Sequence, residues 1–92
     1  MIGKAILLGE MVSIQEQGNT ANGEPFVNFT LRTWETSKDK KENKVFHTIN
    51  AYGAYAETII KYFEANKSMY IDGMITMYKN NYAVKINTFR WA

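Results

Sequence analysis

Residues 44–75, KVFHTINAYGAYAETIIKYFEANKSMYIDGMI, read as a strand, a helix and a second strand. In the first, Val45, His47, Ile49 and Ala51 point one way, and Phe46, Thr48, Asn50 and Tyr52 the other. One face is mostly apolar and suits a core. The other sets two aromatic rings among small polar residues and suits contact with something flat. Gly53 breaks the strand. From Ala54 to Ala65 the spacing turns helical, with Tyr55, Ala56, Ile59, Ile60 and Phe63 on one face and Glu57, Lys61 and Glu64 opposite. Asn66 is placed to end the helix in a left-handed conformation. Met69 to Lys79 alternates again, with Ile71, Gly73, Ile75 and Met77 inward and Tyr70, Asp72, Met74, Thr76 and Tyr78 outward.

Three more segments flank this stretch. Ile2–Ile14 is a first strand in which Gly9 marks a bulge or a sharp bend. Gln15–Pro25 is rich in turn residues and reads as a loop. Phe26–Trp34 alternates cleanly, with Val27, Phe29, Leu31 and Thr33 on the core side. Phe26, Asn28, Thr30, Arg32 and Trp34 lie on the other. Glu35–Lys44 carries no apolar residue and reads as a solvated, lysine-rich loop. Asn80-Asn81 suits a two-residue hairpin turn, and Tyr82–Trp91 is the last strand. Its inward set, Val84 and Ile86, reaches Phe89 only if a bulge falls near Asn87 or Thr88. Five strands with a helix between the third and fourth is the order of an OB-fold, a five-stranded Greek-key barrel, here a single domain over residues 1–92. Other small β-barrels and an open α+β sheet share parts of the pattern.

Composition narrows the chemistry. With no cysteine, disulfides and thiolate metal sites are excluded, and nothing points to an oxidising compartment. No apolar run approaches the roughly 20 residues of a membrane span, and the N-terminus reads as a strand, not a signal peptide. A net charge of +2 permits a polyanionic partner without demanding one. Six tyrosines, five phenylalanines and two tryptophans are too many for a core of this size to hide, so some face outward. The five methionines read as core filler, and Trp91 as a packing residue that closes the barrel or an interface.

Several segments, in order and at consistent separations, resemble the bacterial-type single-stranded DNA-binding protein family. They are KAILLGE (4–10), VNFTLRT (27–33), FHTINAYGAYAETIIKYF (46–63) and MYIDGMI (69–75). The resemblance covers nearly the whole chain. It implies an OB-fold that coats single-stranded DNA during replication, recombination or repair and works as a homodimer or homotetramer. It also implies a cytoplasmic setting, in a bacterial cell or a phage-infected host. Phe46 and Tyr52 occupy the positions of two stacking aromatics of the family. Trp34 and Tyr78 are the nearest aromatics to two more. His47 matches a histidine associated with subunit contacts. The hairpin loop between the fourth and fifth strands reads as short, and no acidic tail of the kind through which family members recruit enzymes is expected. That pattern suits a phage, plasmid or accessory form.

Binding single strands without sequence choice needs π-surfaces for bases and cations for phosphates. The candidate contacts are therefore Trp34, Phe46, Tyr52 and Tyr78 for stacking. Arg32, Lys38, Lys40, Lys41 and Lys79 are the candidates for the backbone. Tyr70, outward at the start of its strand, suits a subunit contact, as does His47. Each has a plainer reading: an outward aromatic packed under a loop or in an interface, a lysine merely solvated. RNA stays open as a second polymer, since stacking does not separate it from DNA. With one histidine and no nucleophile paired to it, no catalytic set is visible. Neither a metal pattern nor a phosphate-binding glycine loop is present, so no cofactor is expected. The alternatives are a primosomal adaptor derived from the same family, and an OB-fold module for protein or glycan binding with no nucleic-acid role.

Overall fold

The computed structural model describes residues 3–36 and 42–92; Lys38, Lys40 and Lys41 lie outside them. The order is β1 (Lys4–Asn19), β2 (Pro25–Thr36), β3 (Glu42–Tyr52), α1 (Ala54–Tyr62), β4 (Ser68–Tyr78) and β5 (Asn81–Trp91). The strands close into a barrel in the order β1-β2-β3-β5-β4. Every pairing is antiparallel except β3 with β5, which run parallel at Ile49↔Val84 and Asn50↔Lys85. This is the OB-fold that the element order predicts.

The inward parity of each strand fills the barrel. Met11, Phe29, Leu31, Ile49, Met69 and Ile71 are fully buried, and α1 adds Ala56 and Ile59 to the same core. Each of the larger of these side chains contributes roughly 1.5–3 kcal/mol by leaving water. Gly53, at φ 66°, makes the corner from β3 into α1, a conformation a side chain would resist. Its N–H donates to the Pro25 carbonyl at 2.8 Å, which ties the corner to β2.

The structure departs from the local pattern in identifiable ways. β1 continues through the expected loop to Asn19, because its backbone pairs with β2 as far as Asn19↔Pro25 whatever its side chains are. Gly9 is no bulge. It is a close crossing, where a Cβ would collide with the Arg32 carbonyl. The extra residues of β1 are instead Val12 and Gln15, and in β5 the expected bulge falls on Asn87. α1 stops at Tyr62, short of Ala65, and Asn66 takes its left-handed turn (φ 72°) in the loop beyond. The β4–β5 turn is Lys79-Asn80, one residue earlier than expected, with φ of 50° and 67°. Both positive angles fit a hairpin turn of the primed type.

Not every inward residue is buried. Beyond the short β3–β5 pairing, the β4–β5 hairpin leaves the barrel. Its tip pairs with no third strand and meets β1 only through side chains at Glu16, and Ile75 and Met77 are exposed. Met74 is exposed as well, so among the described methionines only Met11 and Met69 act as the core filler expected of them. Trp91 does pack on the core, edge-to-face with Phe89 at 5.2 Å.

Candidate nucleic-acid interface

The outward parity of β2 and β3 forms one continuous strip. Register pairs Trp34 with Lys44, Arg32 with Phe46, Thr30 with Thr48, Asn28 with Asn50, and Phe26 with Tyr52. At about 3.3 Å per residue, Phe46 and Tyr52 stand roughly 20 Å apart along it. Phe46 is 59% exposed and Trp34 42%, too much for rings whose only task is packing. Tyr52 and Tyr78 are half-buried.

Cations accompany three of the four rings. The Arg32 guanidinium lies 5.4 Å from the Trp34 centroid, Lys85 Nζ 5.3 Å from Tyr52, and Lys79 Nζ 5.2 Å from Tyr78. At these distances a cation is attracted to the ring face. The same pairs place a π-surface beside a positive charge, the two things a nucleotide offers partners for.

Arg32 is less free than its sequence position suggests. Its Nη2 donates to Glu10 Oε1 at 2.8 Å and to Asn66 Oδ1 at 2.7 Å, and its side chain is mostly buried. The left-handed turn at Asn66 brings that acceptor within reach, held by Asn66 N–H to the Met11 carbonyl at 2.8 Å. Arg32 is therefore committed to two internal partners, with its guanidinium over the Trp34 ring. The open phosphate contact expected of it is not what the geometry shows.

At the hairpin tip the Tyr78 hydroxyl donates to Glu16 Oε2 at 2.7 Å, and Lys79 Nζ approaches the same oxygen at 3.2 Å. The Tyr78 hydrogen bond, then Lys79, hold the Glu16 carboxyl below its ordinary 4.5. Glu16's hydrogen bond in turn raises Lys79. These contacts bring Tyr78 and Lys79 to β1, beside the outer face.

His47 sits half-buried, its Nε2 2.8 Å from Thr33 Oγ1. Burial lowers its pKa from 6.5, so it is neutral at pH 7 and offers no charge to a phosphate. It borders a cleft of about 620 Å³ with Ala5, Leu7, Phe46, Ile75 and Tyr82, where β3 diverges from the β4–β5 hairpin. Tyr70 lies opposite Leu8 on the outer face of β1 and β4, under Arg90 at 4.8 Å. Exposed Ile6, Leu8 and Met74 add apolar surface to the same face, which also carries the Lys4–Asp72 ion pair at 3.4 Å.

Sequence reading missed Lys85 and Tyr82. Lys85 alternates with buried Val84 and Ile86, so parity alone could have found it. Tyr82, 78% exposed, gave no such signal, because its parity looks inward until the hairpin is seen to leave the barrel. Among the described residues no group of three or more His, Asp or Glu could hold a metal, and no helix is long and apolar enough to cross a membrane.

Fold and face together define an OB-fold binding module that presents rings and cations side by side. Residues 2–88 match the Single-strand binding protein family, and the chain belongs to it. It is 33% identical over 78 residues to "Single-stranded DNA-binding protein 1" of Chlorobaculum tepidum, covering 80% of this chain and 48% of that protein. The chain thus spans about half the length of the curated relative it matches. In shape it resembles two solved structures of the protein PriB from Ralstonia solanacearum. One has a TM-score of 0.83 at 14% identity, covering 99% of this chain and 98% of the other. The second has a TM-score of 0.82 at 15% identity, covering 100% of both.

Proposed function

We propose that this chain binds single-stranded DNA as one OB-fold unit, stacking bases on Trp34, Phe46, Tyr52 and Tyr78 with little sequence preference. The observation that carries the reading is the outer face of β2 and β3, with Trp34 and Phe46 exposed and Tyr52 half-buried, joined by Tyr78 at the end of β4; three of the four rings are accompanied by cations at 5.2–5.4 Å. Lys79 and Lys85 are the phosphate partners in this scheme, joined by the loop lysines Lys38, Lys40 and Lys41. Arg32 positions Trp34. The binding serves replication, recombination or repair in the cytoplasm.

Assembly as a homodimer or homotetramer accompanies it. The apolar outer face of β1 and β4, with Ile6, Leu8, Met74 and Tyr70, supports self-association, and His47 borders a second apolar opening. Light scattering of the free and DNA-bound protein reports the state.

Titration of labelled oligo-dT at two salt concentrations tests the main reading. Affinity should fall with salt at a slope near −0.7 per phosphate neutralised. Binding weaker than micromolar at low salt would sink it.

A second reading is a primosomal adaptor derived from the same family. It is favoured by coverage: the two PriB structures are matched over 98% and 100% of their length, the single-stranded DNA-binding relative over 48%. Pull-down with replicative helicases separates the two. Retention of helicase together with DNA supports the adaptor; DNA binding alone supports the coating protein.

A further inference from the structure

We infer that single-stranded DNA continues past Trp34 onto a second basic and aromatic patch at the end of α1, where Lys61 and Lys67 hold phosphates beside the ring of Tyr62. This rests on the single-strand-binding reading and lengthens its site.

The patch is built from the last turn of α1 and the loop into β4. Tyr62 closes the helix and is 49% exposed. Two ammoniums converge on its ring, Lys61 Nζ at 5.3 Å and Lys67 Nζ at 5.8 Å from the centroid. Lys67 Nζ also stands 4.2 Å from the Trp91 centroid, so two rings share it. The loop is clamped to β1. Met11 N–H donates to the Lys67 carbonyl at 3.0 Å, and Asn66 N–H donates to the Met11 carbonyl at 2.8 Å. The backbone that carries Lys67 is therefore fixed.

Each lysine has a plainer role. Lys61 complements the carbonyl end of α1, and Lys67 packs on Trp91. Neither role explains why an exposed tyrosine sits between them. Nor does an acid neutralise them. The ion pairs among the described residues are Lys4–Asp72, Arg32–Glu10 and Lys79–Glu16, so Glu57 and Glu64 of the same segment pair with neither lysine. Two cations around an exposed ring match the phosphate and the base of a nucleotide.

Position joins the patch to the β2–β3 strip. The Arg32 guanidinium lies 5.4 Å from the Trp34 centroid and donates to Asn66 Oδ1 at 2.7 Å, and Asn66 precedes Lys67 in the chain. A cleft of about 340 Å³ follows the same line. Trp34 lines it together with Ser68 and Ala92, the chain neighbours of Lys67 and Trp91. Glu10, the acid in that cleft, is already paired with Arg32 at 2.8 Å. A polyanion is the occupant this charge fits, and a strand held on the strip delivers one to the patch.

The test follows the salt dependence of binding for two labelled oligo-dT lengths, about 5 and about 15 nucleotides, near the two ends of the range for an OB-fold. The strip alone holds the shorter; the longer reaches the patch. In K61Q/K67Q the salt slope for the longer oligomer should be shallower by about 1.4, from two phosphates at about 0.7 each, and the slope for the shorter unchanged. K61R/K67R should keep the wild-type slope. Tyr62→Ala should weaken the longer oligomer alone, by about fivefold or more. An unchanged slope for the longer oligomer overturns the extension, as does an equal change for both lengths. A lower melting temperature with unchanged slopes would mean that the lysines only brace α1, and overturns it too. Poly-glutamate binding that K61Q/K67Q abolishes while both DNA slopes stay at wild type would assign the patch to an acidic protein, and overturns it as well. Should the double variant not fold, Lys61→Gln decides alone, with an expected change of about 0.7. Failure of wild type to bind the longer oligomer overturns the single-strand reading itself; binding that is indifferent to Lys61 and Lys67 overturns only the extension.

Discussion

Trp34 and Trp91 stand in similar company and differ in how they are covered. Each lies near the end of a strand beside a cation, Arg32 at 5.4 Å for one and Lys67 at 4.2 Å for the other. Trp91 also meets Phe89 edge-to-face, and Phe89 meets Tyr55 of α1 at 5.5 Å, so its ring closes over the core. Trp34 has no such cover. Its neighbours fix it from the side and leave it 42% exposed. Residue type and a nearby charge therefore do not separate a covered ring from an exposed one. What separates them is whether a helix or another strand covers the ring face.

The largest expected effect tests the packed member. Trp91→Ala should cost about 3 kcal/mol in chemical denaturation, the lower end for large core rings because Trp91 is only partly buried. Oligo-dT affinity of the folded fraction should be nearly unchanged. A large loss of affinity would erase the distinction between the two rings.

Next come the exposed rings. Phe46→Ala, Tyr52→Ala and Trp34→Ala should each weaken oligo-dT binding by about 1–3 kcal/mol, with stability close to wild type. Fluorescence sharpens the comparison: quenching by poly-dT should vanish in Trp34→Phe and persist in Trp91→Phe.

A smaller effect is expected at the hairpin tip. Glu16→Gln keeps an acceptor for the Tyr78 hydroxyl but removes the ionic partner of Lys79 and a negative charge from the face. Oligo-dT should bind about twofold more tightly at low salt, with the gain fading as screening rises. Unchanged low-salt affinity would place the tip outside the DNA path.

The smallest concerns His47. Burial lowers its pKa, so between 6.5 and its folded value the unfolded chain binds more protons. Its contribution to stability is full above 6.5 and is lost as pH falls through the folded value. His47→Gln should flatten that part of the stability–pH profile. An unchanged profile would assign the slope to other groups.

Much of the fold was legible because strand and helix periods are local. The helix face, the outward parity of Phe46 and Tyr52 and the bulge at Asn87 all follow from alternation within one segment. Element ends were less legible. Nothing in Gln15–Asn19 shows that its backbone has a partner in β2. The turn at Lys79-Asn80 places a lysine at positive φ, where side-chain preference alone would favour Asn-Asn. The internal partners of Arg32 were not legible for a related reason: Glu10 and Asn66 lie on other elements.

The sequence by itself determined the barrel's element order, the buried set of each strand and the aromatic character of the face, since a two-residue period sorts side chains without reference to neighbours. Only the tertiary structure decided which residues share a row. The two extra residues of β1 at Val12 and Gln15 shift its phase and bring Glu16 opposite Asn28. The brief parallel pairing of β3 with β5 then adds Lys85 beside Asn50. Register across strands comes from non-local pairing and from bulges, and no single segment of the chain carries that information.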